Sequence, residues 1–265
     1  MKAIILSAGQ GRRLLPLTEV VPKCCLQVEG LSLLEWQIRA LAVNGIKEVV
    51  VVTGFGHHVV EDVASCVQGI HVRTLYNPFF ALSDNLATCW VARGEMREPF
   101  LLLNGDTLFE TSVLDRLLKS ASAFPITLAT DHKNQYDSDD MKIVADGGRL
   151  LKVGKKLELG QVNGESIGMM LFSKQGAEAF VNKVELLMSA PAGLARWYLS
   201  AIDEIARAGH VGICSIHGSG WCEVDDLDDL KHAQNAVARW QRKSSAAELS
   251  ASDTNALREA KPLPH

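Results

Sequence analysis

The sequence lacks the two glycine patterns that most often mark a nucleotide-binding loop. Its first glycine-rich turn, Gly9-Gln-Gly11, follows an apolar run, but Leu14 stands where a dinucleotide-binding loop carries its third glycine. The Gly-Lys-Ser/Thr element of a P-loop is also absent. The second predicted strand ends at Thr53-Gly54, without the acidic residue that binds a ribose in dinucleotide-binding folds. These absences disfavour a Rossmann-type oxidoreductase, an alternative that hydride exchange with a nicotinamide cofactor would revive.

The sequence also lacks cysteine pairs with the spacing of redox or zinc sites, and it lacks long apolar runs. The six cysteines form no Cys-x-x-Cys pair and no zinc-type spacing, and most lie in apolar segments, so we expect reduced thiols in a cytoplasmic protein. No apolar run approaches the ~20 residues of a membrane span. The chain opens directly on a predicted strand, and from this we expect no signal peptide.

Neither sign of charge dominates. The 27 basic and 31 acidic residues leave a net charge of −4, with no basic tract and no acidic block. We therefore expect neither nucleic acid nor a membrane as a partner, and the composition leaves a homo-oligomer open.

The pattern that is present alternates short apolar runs with amphipathic segments, starting with a buried strand at Ala3–Leu6. Ser32 and Glu35 form a capping box at the start of the first predicted helix. This order predicts one Rossmann-like α/β/α sandwich with a mainly parallel sheet, over residues 1–241. A β-hairpin around Gly147-Gly148 would form a lid over a bound ligand. Residues 242–265 would form a mobile tail, with a short helix near Glu248 to Glu259 as an alternative.

The loop from Ala8 to Lys23 is suited to hold a polyphosphate. Gly9 and Gly11 allow a sharp turn and a close approach of the backbone to phosphate oxygens. The loop also supplies three cationic side chains, Arg12, Arg13 and Lys23. The alternative is an ordinary βα turn with solvated arginines.

Three carboxylates are candidate ligands for Mg²⁺. Asp106 follows the strand Phe100–Leu103, and ligands bind beyond the carboxyl ends of parallel strands. Glu223 and Asp225 occupy alternate positions of a short strand and therefore face one side. Together with Asp106 they form a candidate metal site. The alternatives are a turn role for Asp106 and helix capping for the acidic cluster.

Further polar and aromatic side chains are candidate binding groups. Ser83 or Asp84 could cap the helix that follows them, and the alternative is that Ser83 and Asn85 read the edge of a base. In a hairpin with a two-residue turn, Lys142 faces Val153, which puts Lys142 and Lys155 on one face, either around an anion or in solvent. Tyr136, Tyr198 and Trp221 offer ring faces, and Asp131 and Glu165 offer carboxylates, of the kind that bind an organic cation. The alternative is that these rings are core and the carboxylates pair with the lysines.

These elements together resemble a known family. Ala8-Gly-x-Gly-x-Arg13-Leu, Pro16-Leu-Thr18, Pro22-Lys23 and Trp221-x-Glu223-x-Asp225 are similar to the motifs of nucleotidyltransferases that activate phosphorylated small molecules. That family includes the sugar-1-phosphate nucleotidyltransferases and the phosphocholine cytidylyltransferase-like enzymes. The resemblance covers roughly residues 1 to 240, and the loop containing Ser83, Asn85 and Leu86 is closest to the cytidylyltransferase branch, although Asp84 stands where Asn is usual.

The resemblance implies a Mg²⁺-dependent transfer of CMP from CTP to a phosphocholine- or 2-aminoethylphosphonate-type acceptor. Arg13, Lys23, Asp106 and Asp225 would be catalytic, with Asp106, Asp225 and Glu223 around the metal. The nucleotide would contact Leu6, Ala8, Gly9, Gly11, Arg12, Arg13, Lys23, Ser83, Asn85, Gly105 and Asp106. The acceptor would contact Asp131, Tyr136, Lys142, Lys155, Glu165, Tyr198 and Trp221. A sugar-1-phosphate or inositol-phosphate nucleotidyltransferase and a catalytically silent nucleotide-binding subunit remain as alternatives.

Overall fold

The computed structural model describes residues 1–120 and 123–259, with residues 244–259 described by backbone alone. In this part of the chain the strands are β1 (Lys2–Ser7), β2 (Gln27–Val28), β3 (Leu31–Ser32), β4 (Glu48–Thr53), β5 (His71–Tyr76), β6 (Phe100–Asn104), β7 (Thr107–Phe109), β8 (Ile126–Asp131), β9 (Lys142–Asp146), β10 (Arg149–Gly154), β11 (Gly164–Phe172), β12 (Val211–Ser215) and β13 (Trp221–Glu223). The α-helices are α1 (Leu33–Val43), α2 (His57–Cys66), α3 (Asn85–Ala92), α4 (Thr111–Lys119), α5 (Lys174–Met188), α6 (Leu199–Arg207) and α7 (Leu227–Glu259).

One nine-stranded sheet organises the molecule, in the order β5-β4-β1-β6-β11-β8-β12-β10-β9. Strand β1 pairs in parallel with both β4 and β6, and β8 pairs in parallel with β12. Strands β10 and β11 run against their neighbours, so the sheet is mixed. The predicted Rossmann-like α/β/α sandwich is confirmed, and the parallel strands β1, β4 and β6 end at one edge of the sheet.

The apolar strands are buried because helices cover both faces of the sheet. Side chains alternate along a strand, so Ile4 packs into the cluster with α3, α5 and α6, while Ile5 packs into the cluster with α1, α2 and α4. Both side chains are fully buried. This burial explains why β1 reads as a continuous apolar run rather than as an alternating pattern.

The capping box of α1 is confirmed. The backbone N–H of Glu35 donates to Ser32 Oγ at 3.1 Å, and the N–H of Ser32 donates to Glu35 Oε2 at 2.8 Å. These two bonds satisfy donors that the helix cannot use itself, which fixes where α1 begins.

The β9–β10 hairpin forms as predicted at its turn but not along its length. Asp146 lies opposite Arg149, which confirms the two-residue turn. An irregularity between Leu150 and Lys152 then shifts the register, so Lys142 lies opposite Gly154 rather than Val153. The predicted pairing of Lys142 with Val153 is wrong because a bulge adds one residue to one strand.

The C-terminal helix is longer than the sequence suggested. Helix α7 continues through Arg242, where the tail was predicted to begin, to Glu259. Residues 260–265 of that predicted tail lie outside the described residues. Within the described part of the chain, no helix has both the length and the apolar character that a membrane crossing requires.

Candidate active site

A cavity of about 210 Å³ opens between the loop after β1 and the end of β6. Seven of the predicted nucleotide-binding residues line it: Leu6, Gly9, Gly11, Lys23, Asn85, Gly105 and Asp106. Sequence reasoning missed the other lining residues, Ser7, Cys24 and Asn104. Ser7 and Asn104 end the parallel strands β1 and β6, so the position of the strand ends was the signal that could have found them.

In the loop after β1, the side chain of Lys23 packs closely against Gly11. Gly11 has a φ of +77°, which favours glycine, and a Cβ there would lie 2.8 Å from the Cβ of Lys23. The buried hydroxyl of Thr18 donates to the carbonyl of Gly11 at 2.8 Å and closes the loop. The glycine is therefore needed both for the turn and for the close approach of Lys23.

Lys23 is the centre of the site. Its ammonium donates to Asp106 Oδ2 at 2.9 Å and to Asp225 Oδ1 at 2.5 Å, and its side chain is only 12% exposed. Burial alone would lower the pKa of Lys23, but the charges of Asp106 and Asp225 raise it above its usual value. Lys23 is therefore a permanent cation between two carboxylates that the sequence separates widely.

Arg13 extends this network. Its guanidinium lies 2.9 Å from Asp225 Oδ2 and 3.0 Å from Asp139 Oδ2. Burial alone would raise the pKa of Asp225, but the charge of Lys23 and then that of Arg13 hold it below its usual value. Asp139, which sequence reasoning missed, also lies 3.7 Å from Lys155, and nothing in its polar loop distinguished it.

The position of Asp106 depends on Gly105, the residue before it. A Cβ on Gly105 would lie 2.4 Å from Ser7 Oγ and 2.6 Å from the carbonyl oxygen of Leu6, so only glycine lets β6 leave the sheet so close to β1. One carboxylate oxygen, Asp106 Oδ1, is buried without a hydrogen-bond partner among the described residues. A buried anionic oxygen without a partner is a ligand available to a cation.

Glu223 lies beside the other two carboxylates but does not complete a three-ligand group. In the described residues, the clusters whose donor atoms all lie within 4.8 Å of one another do not include Asp106, Asp225 and Glu223 together. Burial, and then the charges of Asp106 and Asp225, raise the pKa of Glu223 to about 8. Glu223 therefore lies beside the Asp106–Asp225 pair as a carboxyl that binds a proton more readily than usual.

The remaining nucleotide-binding candidates lie outside the cavity lining. Arg12 is exposed, while Ala8 is buried and accepts a hydrogen bond from the backbone of Phe55. Ser83 donates to the carbonyl of Phe79 at 2.8 Å, and no side chain caps α3, so the predicted capping role is wrong. Asn85, by contrast, lines the cavity and accepts from the backbone of Tyr198 at 2.8 Å.

Lys142 and Lys155 meet, but not as two free cations. The Lys142 ammonium is buried and donates to the carbonyl oxygen of Lys155 at 2.9 Å. The Lys155 ammonium lies 4.6 Å from the ring centroid of Trp197 and faces Asp139. The Lys142 charge is therefore buried, whereas the Lys155 side chain is 26% exposed.

Two predicted acceptor groups are joined directly. The indole N–H of Trp221 donates to Asp131 Oδ2 at 2.8 Å. Glu165 pairs with Lys133 at 3.1 Å rather than with Lys142 or Lys155. Tyr136 is half-buried, and its hydroxyl accepts a long hydrogen bond, of 3.4 Å, from the Lys133 backbone.

Tyr198 is a correction. It is fully buried, and its hydroxyl donates to Asn104 Oδ1 at 3.1 Å. Burial raises the pKa of this phenol well above its usual value. The ring therefore belongs to the core and cannot present a face to an acceptor, whereas the neighbouring Trp197 is 40% exposed. Position in a helical segment did not reveal which of these adjacent rings faces outward.

Comparison with known proteins gives this site a family context. Residues 3–217 match the family described as MobA-like NTP transferase domain. CTP:phosphoglutamine cytidylyltransferase of Campylobacter jejuni is 23% identical over 255 residues, which cover 87% of this chain and 98% of that protein. CMP-5'-(3-aminopropyl)phosphonate synthase of Streptomyces rubellomurinus is 28% identical over 240 residues, covering 88% of this chain and 38% of that protein.

Several curated relatives are longer than this chain, which spans 52% of two of them and 38% of a third. Among solved structures, the inositol-1-phosphate CTP transferase from T. maritima superposes with a TM-score of 0.78 at 23% identity. The match covers 91% of this chain and 96% of that one, and it shows a shared fold.

Proposed function

Because the chain belongs to the family of MobA-like NTP transferase domains, we propose that it transfers CMP from CTP to a small acceptor bearing a phosphate or phosphonate group, with release of pyrophosphate. Relatives aligned over most of this chain are named as a cytidylyltransferase and a CMP-phosphonate synthase. The observation that carries the proposal is the Lys23 ammonium held between Asp106 and Asp225 at the mouth of the cavity. The family membership sets aside the oxidoreductase alternative.

Lys23 and Arg13 are proposed to bind the triphosphate. Both cations are already gathered at the end of the glycine loop, each paired with Asp225. The cationic groups are therefore in place before the nucleotide binds. Its phosphate oxygens would then replace the carboxylate partners. Charge neutralisation of the departing pyrophosphate is then the contribution we assign to Lys23.

Asp106 and Asp225 suit a hard divalent cation such as Mg²⁺. The fit rests on Asp106 Oδ1, which is buried without a partner among the described residues, and on two carboxylates that face one position. Mg²⁺ bound there would neutralise charge on the phosphates. Lys23 now fills the position between the carboxylates, so its ammonium must turn towards the phosphates when the cation binds.

No general base is required by this chemistry. The acceptor's phosphate or phosphonate oxygen is already an anion at neutral pH, and it would attack the α-phosphorus of CTP as the bond to pyrophosphate breaks. Orientation and charge compensation therefore supply the rate enhancement. Lys155, whose partly exposed ammonium lies beside Asp139 and Trp197, is the residue we assign to the acceptor's anionic group.

We further propose an amine-bearing acceptor, such as phosphocholine or 2-aminoethylphosphonate. The support is an exposed ring, Trp197, that already carries the ammonium of Lys155. An organic cation over such a ring gains ~0.5–2 kcal/mol.

A cytoplasmic location is part of the proposal, supported by six unpaired thiols.

The test is a pyrophosphate-release screen of four nucleoside triphosphates against phosphocholine, 2-aminoethylphosphonate, inositol-1-phosphate and glucose-1-phosphate, with Mg²⁺. We expect CTP with an amine-bearing acceptor to exceed every other pair by at least ~tenfold in kcat/KM. The Asp106→Asn variant is the background control. A winning inositol or sugar phosphate would overturn the cationic acceptor, and release with no pair would favour a silent nucleotide-binding subunit.

A further inference from the structure

Two parallel strands of the sheet, β8 and β12, end side by side and bring together a second group of possible metal ligands. Thr130 pairs with Ser215, and the backbone N–H of Ile216 donates to the carbonyl of Thr130 at 2.8 Å. The next side chains are Asp131 and His132 on one strand exit and His217 on the other. Their donor atoms all lie within 4.8 Å of one another. We call these three residues the β8–β12 cluster.

Asp131 is the fixed member of the cluster. Its Oδ2 accepts from the Trp221 indole at 2.8 Å, and its Oδ1 accepts from the backbone of His132 at 2.8 Å. These two hydrogen bonds give the carboxylate a set orientation.

The two imidazoles contact each other, and one of them contacts that carboxylate. The rings of His132 and His217 stack with centroids 3.8 Å apart, and His217 Nδ1 lies 3.2 Å from Asp131 Oδ1. Ligand atoms 2.0–2.1 Å from a tetrahedral cation are about 3.4 Å apart, so this pair already has the separation of two ligands on one ion. The neighbouring cation, Lys133, is paired with Asp140 and Glu165 and does not oppose a metal as a free charge.

We propose that Asp131, His132 and His217 bind a divalent transition-metal cation of the zinc class. Two imidazoles and one carboxylate are typical ligands for Zn²⁺, whereas Mg²⁺ prefers oxygen ligands and is assigned here to Asp106 and Asp225. Three protein ligands would leave one coordination position for water or for an oxygen of a bound molecule. The site is thus distinct in its metal preference from the carboxylate pair beside Lys23.

A second group of the same composition provides a matched comparison. His57, His58 and Glu61 also place their donor atoms within 4.8 Å of one another. However, they lie in the first turns of α2, where the positive end of the helix dipole opposes a cation. We therefore expect the β8–β12 cluster to bind Zn²⁺ more tightly than this group.

The test is calorimetric titration of the whole protein with Zn²⁺ in excess Mg²⁺, without nucleotide or acceptor. The variants are His132→Gln and His217→Gln, and the control is the double variant His57→Gln/His58→Gln. We expect the tightest Zn²⁺ affinity to fall at least ~tenfold in each single variant and to be unchanged in the control. Thermal melts without metal check the fold of each variant.

A second probe is Co²⁺, whose visible absorption reports nitrogen and oxygen ligands at the bound ion. The parent protein and the His57→Gln/His58→Gln control should give the same spectrum, and His217→Gln should lose it. The proposal is overturned if Zn²⁺ fails to bind in excess Mg²⁺, or if tight binding survives His217→Gln and disappears in the control. Because neither titration needs turnover, the outcome is separate from that of the proposed transferase activity.

Discussion

At the scale of single residues, the two carboxylates that flank Lys23 have distinct environments and one proposed task. Asp106 leaves a strand end with one oxygen unpartnered among the described residues, whereas Asp225 is held by two cations. A neutral amide in either place keeps the shape but removes the negative charge that a hard cation requires.

Asp106→Asn and Asp225→Asn should therefore each lower kcat by at least ~10²-fold, the effect of removing one preorganised charged group. Pyrophosphate release with CTP and the best acceptor measures this. The matched control is Asp228→Asn, a carboxylate of the same acidic segment that is 92% exposed and pairs only with Lys231 among the described residues. Parent-like turnover by Asp225→Asn would remove Asp225 from the proposed metal pair.

Gly105 is another single residue on which the local structure depends, because any side chain at this position would collide with β1. A Cβ there would lie 2.6 Å from the backbone oxygen of Leu6, which cannot move aside as a flexible side chain would. Gly105→Ala should lower the free energy of unfolding by about 1–3 kcal/mol. Urea unfolding measures this against Gly94→Ala, whose added Cβ meets nothing within 4 Å. Equal stability of the two variants would show that the β1–β6 edge can relax.

At the scale of elements, an ion-pair network ties the edge strand β5 to β4, β1 and the turn before β6. Glu95 accepts from Lys2 at 2.8 Å and from Arg73 at 3.0 Å, and Arg73 also reaches Glu48. The hydrogen bond with Arg73, opposed by partial burial, lowers the pKa of Glu95 from 4.5 to about 2. The folded state therefore favours the ionised carboxylate, and its stabilising effect is present above pH 4.5 and lost as the pH falls towards 2.

Glu95→Gln should lower the free energy of unfolding by ~1 kcal/mol at neutral pH, a value reduced by the solvent exposure of the network. The gap to the parent should narrow on acidification to about pH 3, because Glu95 of the unfolded parent then takes up a proton while the folded state, with its pKa of about 2, still excludes it. Urea unfolding at both pH values measures it. Glu98→Gln, which removes a 68% exposed carboxylate paired with Lys174, should change stability little at either pH. A gap that stays constant with pH would assign the effect of Glu95→Gln to packing.

At the scale of the whole molecule, helix α7 packs against a third apolar cluster, separate from the two that cover the faces of the sheet, and then continues beyond it. Its buried side chains, Ala233, Ala236 and Val237, lie before Arg242 and pack with Leu14 and Val224. We propose, as the composition suggested, that the folding domain ends near residue 241. Residues beyond it are then dispensable for the fold.

A chain that ends at Lys243 should keep its melting temperature and its pyrophosphate release, because it retains this cluster and the pair between Lys243 and Glu110. A second truncation, ending after Leu230, should unfold, since it removes Ala233, Ala236 and Val237 together. Thermal melts compare both with the full chain. A large loss of stability on removing residues 244–265 would extend the domain into the predicted tail.

The sequence by itself determined the central strands and the first helix, and their order. Apolar runs predicted β1, β4 and β6, Ser32 and Glu35 predicted the start of α1, and Gly147-Gly148 predicted the turn of the hairpin. Each of these features depends on neighbours within a few residues, where periodicity, capping and turn preferences act.

Only the tertiary structure decided which side chains meet and which are accessible. Lys23 contacts Asp225 across 202 positions of the chain, and Arg13 meets Asp139 across 126. The bulge in β10 moved Lys142 away from its expected pairing, and the packing of α6 buried Tyr198 while it left Trp197 exposed. A local pattern carries no distance between remote segments. The contacts of Lys23, and the choice of which acceptor-region side chains are exposed, therefore depend on how the loops pack where the strands end.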